Sequence, residues 1–243
     1  MSLLVVRGLS KRFGGLCAVK DLSFEVGAGS VHGIIGPNGA GKTSLFNLLT
    51  GFLQPDRGSV TLAGTELLGR RPHAIARLGL ARSFQLARPL SGLTALEALM
   101  LPLSLPGRCT GPSGPRAGAE ALLDTLGLTH KAGTRSEELN QGELRLLDIG
   151  RALASGPRLL LLDEPFSGLG AAAVQRVAQC LHARREAGDT TLIIEHRLRE
   201  LMPLIDRVLV LNFGARLAEG TPQAIASDEQ VIEAYLGRQG APA

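Results

Sequence analysis

The sequence predicts an α/β fold: a mainly parallel sheet carrying a phosphate-binding loop, a small antiparallel sheet beside it, and an inserted α-helical segment. Three observations predict it. The run Gly36-Pro37-Asn38-Gly39-Ala40-Gly41-Lys42-Thr43 lies between an apolar stretch, Val31 to Ile35, and a helix-like one, Ser44 to Thr50. Arg158-Leu159-Leu160-Leu161-Leu162-Asp163 is a continuous apolar run ending in an acid, as in a parallel strand buried on both faces. After residue 155, strand-like and helix-like stretches alternate, which argues for a doubly wound parallel sheet.

The elements follow in order. Leu3–Arg7, Gly15–Val19 and Leu22–Val26 read as short strands, and Gly27-Ala28-Gly29 turns into a strand at Ser30–Ile35. So many strands ahead of a glycine loop suggest an antiparallel sheet flanking it. Gly51 sits where a glycine stops the helix after the loop. Gly58–Leu62 is a further strand. From about Pro72 to Ala154 the helical period dominates, with apolar faces at Pro72–Leu80, Thr94–Leu101 and Gly118–Leu126. Pro106–Pro115 is rich in Pro and Gly and reads as an exposed loop. Gln141–Ala154 is a strong helix, with Asn140 as N-cap and Glu143 three residues later completing a capping box. Ala171–Ala187 is a helix, Thr190–Ile194 a strand, Arg197–Met202 a short helix and Arg207–Leu211 a strand. Gly214–Gly220 returns as a hairpin, and Asp228–Leu236 is helical.

Composition bounds the function. The 243 residues suffice for one large α/β domain with an insertion. We expect a single domain over 1–243, its core and β subdomain from 1–85 and 156–243 and its helical subdomain from 86–155. No apolar run reaches bilayer-spanning length, and the N-terminus reads as a strand and not a signal peptide. Cys17, Cys109 and Cys180 are few and widely spaced, which fits reduced thiols and neither a disulfide nor a zinc framework. The net charge of +4 is spread over scattered arginines, and aromatic content is 3% without Trp, so stacking platforms for nucleic acid are poorly supplied.

The chemistry concentrates in a few places. Glycines in 36–43 let the backbone turn tightly and aim N–H groups at oxyanions, and the following helix adds its positive end. Lys42 reaches the β- and γ-phosphates and the Thr43 hydroxyl ligates Mg²⁺ in this pattern. Asp163 and Glu164 end the buried strand: one carboxylate suits the metal side, the other an attacking water. His196 ends another strand, where an imidazole holds a γ-phosphate and its water. Gln85 sits where the sheet meets the helical segment, and its amide suits Mg²⁺ or water.

The set, in this order, resembles the ATP-binding cassette (ABC) ATPases over nearly the whole chain. Gly36–Thr43 resembles Walker A, Gln85 the Q-loop, Leu159–Glu164 Walker B with its glutamate, and His196 the switch histidine. Leu139-Asn140-Gln141-Gly142-Glu143 occupies the signature position, and Phe13 that of the aromatic that stacks on adenine, with Val19 beside it. The resemblance therefore implies that ATP meets Phe13, Val19, Asn38, Gly39, Ala40, Gly41, Lys42, Thr43, Ser44 and Gln85. In a second subunit it would meet Asn140, Gln141, Gly142 and Glu143. It implies Mg²⁺ on Thr43, Gln85 and Asp163, and catalysis by Glu164, His196 and Lys42.

Further stretches are similar to the ATPase subunits of branched-chain amino-acid importers: Arg12–Leu16, Leu45–Asn47, Pro72–Arg77, Gly79–Gln85, Ile194–His196 and Val231–Gly237. Such a subunit implies a second ATPase subunit, membrane permeases, a periplasmic or surface binding protein, and a place on the cytoplasmic face of the cell membrane; direct nucleic-acid binding is not expected. The signature departs from the family at Asn140 for Ser, Gln141 for Gly and Glu143 for Gln, and Gly170 stands where an acid is common. The alternatives are a soluble ABC ATPase acting on nucleic acid and a regulatory module with weak hydrolysis. A GTPase is disfavoured because the guanine-binding pattern Asn-Lys-x-Asp is absent from the sequence.

Overall fold

The computed structural model describes residues 2–105 and 114–236. The chain opens with β1 (Ser2–Phe13) and β2 (Leu16–Gly27), a long antiparallel pair. The two short strands expected before residue 27 are one. Register shifts along β1 and β2, with Asp21 at φ 47°, let the strand run through the polar Lys20-Asp21 step. The Asp21 N–H, turned out of the ladder, donates to Ser10 Oγ at 3.0 Å. β3 (Val31–Ile35) leads through the glycine loop into α1 (Lys42–Leu49), and β4 (Arg57–Leu62) and β5 (Thr65–Glu66) complete a four-stranded sheet of order β2-β1-β4-β5.

The stretch expected as one helix over Pro72–Leu80 divides into α2 (Pro72–Arg77) and a strand, β6 (Leu80–Ser83). Then come α3 (Ala95–Leu103), α4 (Gly114–Leu126) and α5 (Gln141–Ala154). Of the expected Pro/Gly-rich loop, residues 106–113 lie outside the described residues, while Gly114 and Pro115 already belong to α4. The Asn140 capping box is present as expected, and α5 runs over the anticipated residues. β7 (Leu159–Asp163), α6 (Ala171–Glu186), β8 (Thr190–Ile194), α7 (Leu198–Leu201), β9 (Arg207–Asn212) and β10 (Ala215–Gly220) follow. The chain's described part closes with α8 (Pro222–Ala226), where no helix was anticipated, and α9 (Glu229–Leu236).

The second sheet has six strands in the order β10-β9-β3-β8-β7-β6. All neighbours are parallel except β10 on β9. The leucine run of β7 follows from its position inside this sheet. Leu159 and Leu161 pack into one apolar cluster with α1 and the small sheet. Leu160 and Leu162 pack into the other with α3, α4, α5 and α6. Alternate side chains face opposite sides of a strand, so a strand covered on both faces is apolar throughout. The carboxyl ends of β3, β6, β7 and β8 thereby open at one edge, where parallel sheets carry their ligands.

Candidate functional site

The loop after β3 turns because its glycines go where other residues do not. Gly41 has φ 98°, and a Cβ there would lie 2.2 Å from the Ala18 carbonyl oxygen of β2. At Gly36 a Cβ would lie 2.2 Å from the Leu211 oxygen of β9. The loop is therefore pressed against both sheets while Asn38 and Gly39 stay exposed. Ala40 is buried at its base. Lys42 opens α1 and folds back across the loop, donating from Nζ to the Gly36 oxygen at 2.6 Å and the Pro37 oxygen at 3.1 Å. Thr43 is exposed and Ser44 half-buried on the first turn of α1, whose unpaired N–H groups and dipole favour an anion.

Asp163, at the end of β7, is buried, and its Oδ2 accepts from Arg82 on β6 at 2.7 Å. Burial pushes its carboxyl above the usual range, and the Arg82 guanidinium opposes this. Its other oxygen, Oδ1, is buried and has no hydrogen-bond partner. An orphaned buried carboxylate oxygen is a feature that calls for a ligand. Thr43, Gln85 and Asp163 line one cavity of about 840 Å³. A hydroxyl, an amide and a carboxylate are hard oxygen donors of the kind Mg²⁺ takes alongside phosphates, so the residues fit that ion.

Glu164 leaves the strand with φ 50°, a left-handed backbone that turns its side chain out of the sheet's alternation. Its N–H donates to the Ile194 oxygen at the end of β8, at 2.9 Å. Gln85 Nε2 donates to Glu164 Oε2 at 3.2 Å. His196 Nδ1 lies 3.8 Å from the same oxygen, with the imidazole 57% exposed. Gln85, Glu164 and His196 thus form one group beside Asp163. Asn140–Glu143 form a separate group at the start of α5: Asn140 Oδ1 accepts the Glu143 N–H at 2.9 Å, and Glu143 Oε2 accepts the Asn140 N–H at 2.9 Å. Lys131 adds an ion pair to Glu143 at 3.1 Å. Gln141 is exposed, and Gly142 lies close to Gly168 of the loop after β7.

Phe13, at the end of β1, is 46% exposed, with Lys11 Nζ 5.7 Å above its ring. Val19 is a correction. It is fully buried in the cluster between the small sheet and α1, so its side chain does not stand at the surface beside Phe13. The β-branched residue belongs to the inward face of β2 and not to the base-binding surface.

Two residues here escaped the sequence. Arg82 lies between the rings of Phe46 and Phe84, 5.4 and 5.1 Å from their centroids, and donates to Asn47 Oδ1 at 2.7 Å as well as to Asp163. It joins α1, β6 and β7 beneath the site. Glu195 is fully buried, and its carboxylate accepts the backbone N–H groups of Phe166, His196 and Arg197 at 3.0, 2.7 and 2.9 Å. It fixes the backbone on both sides of the Glu164–His196 pair.

Comparison with known proteins agrees with this geometry. The family model described as ABC transporter covers residues 19–167, and that of the branched-chain amino acid ATP-binding cassette transporter covers residues 215–241. The chain is 39% identical to the high-affinity branched-chain amino acid transport ATP-binding protein LivG of Salmonella typhimurium, over 97% of this chain and 98% of that one. It is 40% identical, with the same coverage, to the corresponding protein BraF of Pseudomonas aeruginosa. It is 33% identical to the lipopolysaccharide export system ATP-binding protein LptB of Haemophilus influenzae, over 98% and 99% of the two chains. Among solved structures, it is similar to a nucleotide-free ATP-binding cassette from an ABC transporter, with TM-score 0.84, 32% identity and coverage of 97% and 99%. It is also similar to an ATP-binding cassette of an ABC transporter in its ADP conformation, with TM-score 0.83, 32% identity and coverage of 98% and 99%. With the glycine loop, the paired carboxylates and the helix-capping signature on one such fold, the chain belongs to the ATP-binding cassette family of ABC transporter ATPases.

Proposed function

We propose that this ATPase drives the import of branched-chain or related amino acids, as one of two cassettes beneath membrane permeases supplied by a binding protein. The observation that carries the reading is the grouping of Gln85, Glu164 and His196 beside Asp163 and the Lys42 loop. The amino-acid class is supported by the family model on residues 215–241 and by the names of the relatives. These favour an importer over a nucleic-acid ATPase or a weakly hydrolysing regulatory module.

The chain's residues divide the work. Phe13 offers its exposed ring to adenine. The loop 36–43 and the start of α1 hold the phosphates, and Lys42 exchanges its loop carbonyls for their oxygens. Thr43, Gln85 and Asp163 would hold Mg²⁺, which when bound supplies positive charge to the β- and γ-phosphate oxygens. Glu164 accepts a hydrogen bond from the attacking water and then its proton, while Gln85 and His196 orient the pair. Asn140 and Gln141, exposed at the start of α5, and the half-buried Gly142 complete the site of a second cassette. ATP then favours the closed pair because only that state contacts it from both sides.

Among the described residues no helix is long and apolar enough to cross a membrane. The names of the relatives as transport ATP-binding proteins support a place against permease subunits at the cytoplasmic face. Exposed Phe52, Leu86 and Leu105 line the cavity that also holds Gln85, a surface suited to a permease segment. The test is reconstitution in vesicles with its cognate permeases and binding protein. ATP-dependent uptake of leucine, isoleucine or valine is the expected result. ATP hydrolysis without uptake of any of them would overturn the substrate class, and absence of hydrolysis would overturn the whole reading.

A further inference from the structure

The backbone just beyond β6 is held in an unusual way. Strand pairing between β6 and β7 ends at Ser83 with Leu162, so the sheet does not hold Phe84 or Gln85. Helix α5 holds them instead. Arg145 donates through one guanidinium nitrogen to the Phe84 carbonyl at 2.5 Å and through the other to the Gln85 carbonyl. Asp148 Oδ2 accepts the Phe84 N–H at 2.9 Å. Three polar backbone groups of two adjacent residues are thus taken by two side chains one turn apart on one helix.

Both side chains are buried, Arg145 at 7% and Asp148 at 8% exposure. A buried charge is costly unless hydrogen-bonded, so each contact is strongly specified. The planar guanidinium suits the task because it reaches two carbonyls in fixed geometry. Its partners on the Phe84-Gln85 segment are all backbone groups, so it fastens the segment whatever that segment's side chains do; on α5 itself Arg151 pairs with Asp148 at 3.6 Å. The Gln85 amide remains directed to Glu164 Oε2 at 3.2 Å.

The same helix begins with Asn140–Gly142, five residues before Arg145. We propose that Arg145 and Asp148 are positioning residues that make Gln85 travel with α5, so that engagement of Asn140–Gly142 by the second cassette's nucleotide is transmitted to the Gln85–Glu164 contact. A helix is a stiff connector, and a shift of its N-terminus is carried along its length to the Arg145 fork. The inference rests on the ATPase reading above and adds the residues that link its two half-sites.

The test uses the assembled transporter with R145M, R145K, D148L and D148N. Two quantities are read: ATPase kinetics, and hydrogen exchange at the Phe84 amide. In R145M, kcat falls about tenfold while KM for ATP stays within about twofold, because the phosphate loop is untouched. Exchange at Phe84 accelerates about tenfold in R145M and D148L as the local opening becomes easier. D148N retains an acceptor oxygen and stays near the parent in exchange, and R145K, with one point of attachment, falls between. A folded R145M with parental kcat, or with parental exchange at Phe84, overturns the inference; if R145M does not fold, the same outcomes in R145K overturn it. A parent complex without ATPase activity refutes the earlier reading, whereas an active parent with unaffected variants refutes this inference alone.

Discussion

Replacing Arg82 with Met removes one member of a buried ion pair while keeping most of the side chain's volume. The remaining carboxylate, Asp163, is 1% exposed and already pushed upward in pKa by burial. Removing one partner of such a pair costs about 3–5 kcal/mol, because the other charge stays buried without compensation. The hydrogen bond to Asn47 and the stacking between Phe46 and Phe84 are lost as well. The flexible Met packs between the same rings and recovers part of that. We take a net loss of about 4 kcal/mol, which for a chain of this size lowers Tm by about 8–16 °C.

The pH dependence identifies the cause. In R82M the native Asp163 pKa rises further above its unfolded value, since the opposing guanidinium is gone. The native state then binds more protons than the unfolded state between those two values, so the destabilisation grows as pH rises through them. It is complete above the folded pKa and fades as pH falls below the unfolded one. Urea unfolding of parent, R82M, D163N and the double variant across this range gives the coupling energy directly. The double variant loses less than the sum of the single ones by about 2 kcal/mol or more. An R82M deficit under about 1 kcal/mol, or one that does not change with pH, would refute the reasoning.

Two further predictions concern the loop and the helix caps. Gly41→Ala places a Cβ against the Ala18 carbonyl and forces a left-handed backbone, so it weakens ATP binding by at least about tenfold; Gly39→Ala, whose Cβ meets nothing within 4 Å, weakens it less. Equilibrium binding of a fluorescent ATP analogue measures both, and equal affinities would contradict the close approach. Burial opposes ionisation of Glu143, but the Asn140 N–H and Lys131 outweigh it and hold the carboxyl below the usual glutamate range. A depressed folded pKa means stability that is present above the unfolded value and lost as pH falls through the folded one. The stability gap between parent and E143Q therefore closes as acidification takes the pH down through the unfolded and then the folded Glu143 pKa, and a constant gap would rule out the charged cap.

Much of this was legible from local patterns. Helix α5 was readable to its ends because Asn140 and Glu143 fix its start and its apolar period runs unbroken. β7 was readable because both faces are covered and four leucines therefore follow one another. β6 was hidden, since half of Leu80-Ala81-Arg82-Ser83 is polar. It is a strand because it pairs along β7, with Arg82 reaching Asp163 and Asn47 across space, which no spacing along the chain reveals. Val19 was placed beside the base by the family resemblance, while the pleat turned it inward. Arg145 and Asp148 did leave a trace. Each follows a buried leucine of α5, Leu144 and Leu147, and charges next to an apolar stripe on both turns hint at buried partners.

Glu164→Gln is the most direct test of how the site works. The variant keeps the side chain's shape and its place beside Gln85 and His196 but loses the base. In the assembled complex with MgATP, turnover falls about a hundredfold or more while bound ATP is retained in a stabilised cassette pair. Parental turnover in E164Q would contradict the assignment of Glu164 as the group that takes the proton of the attacking water.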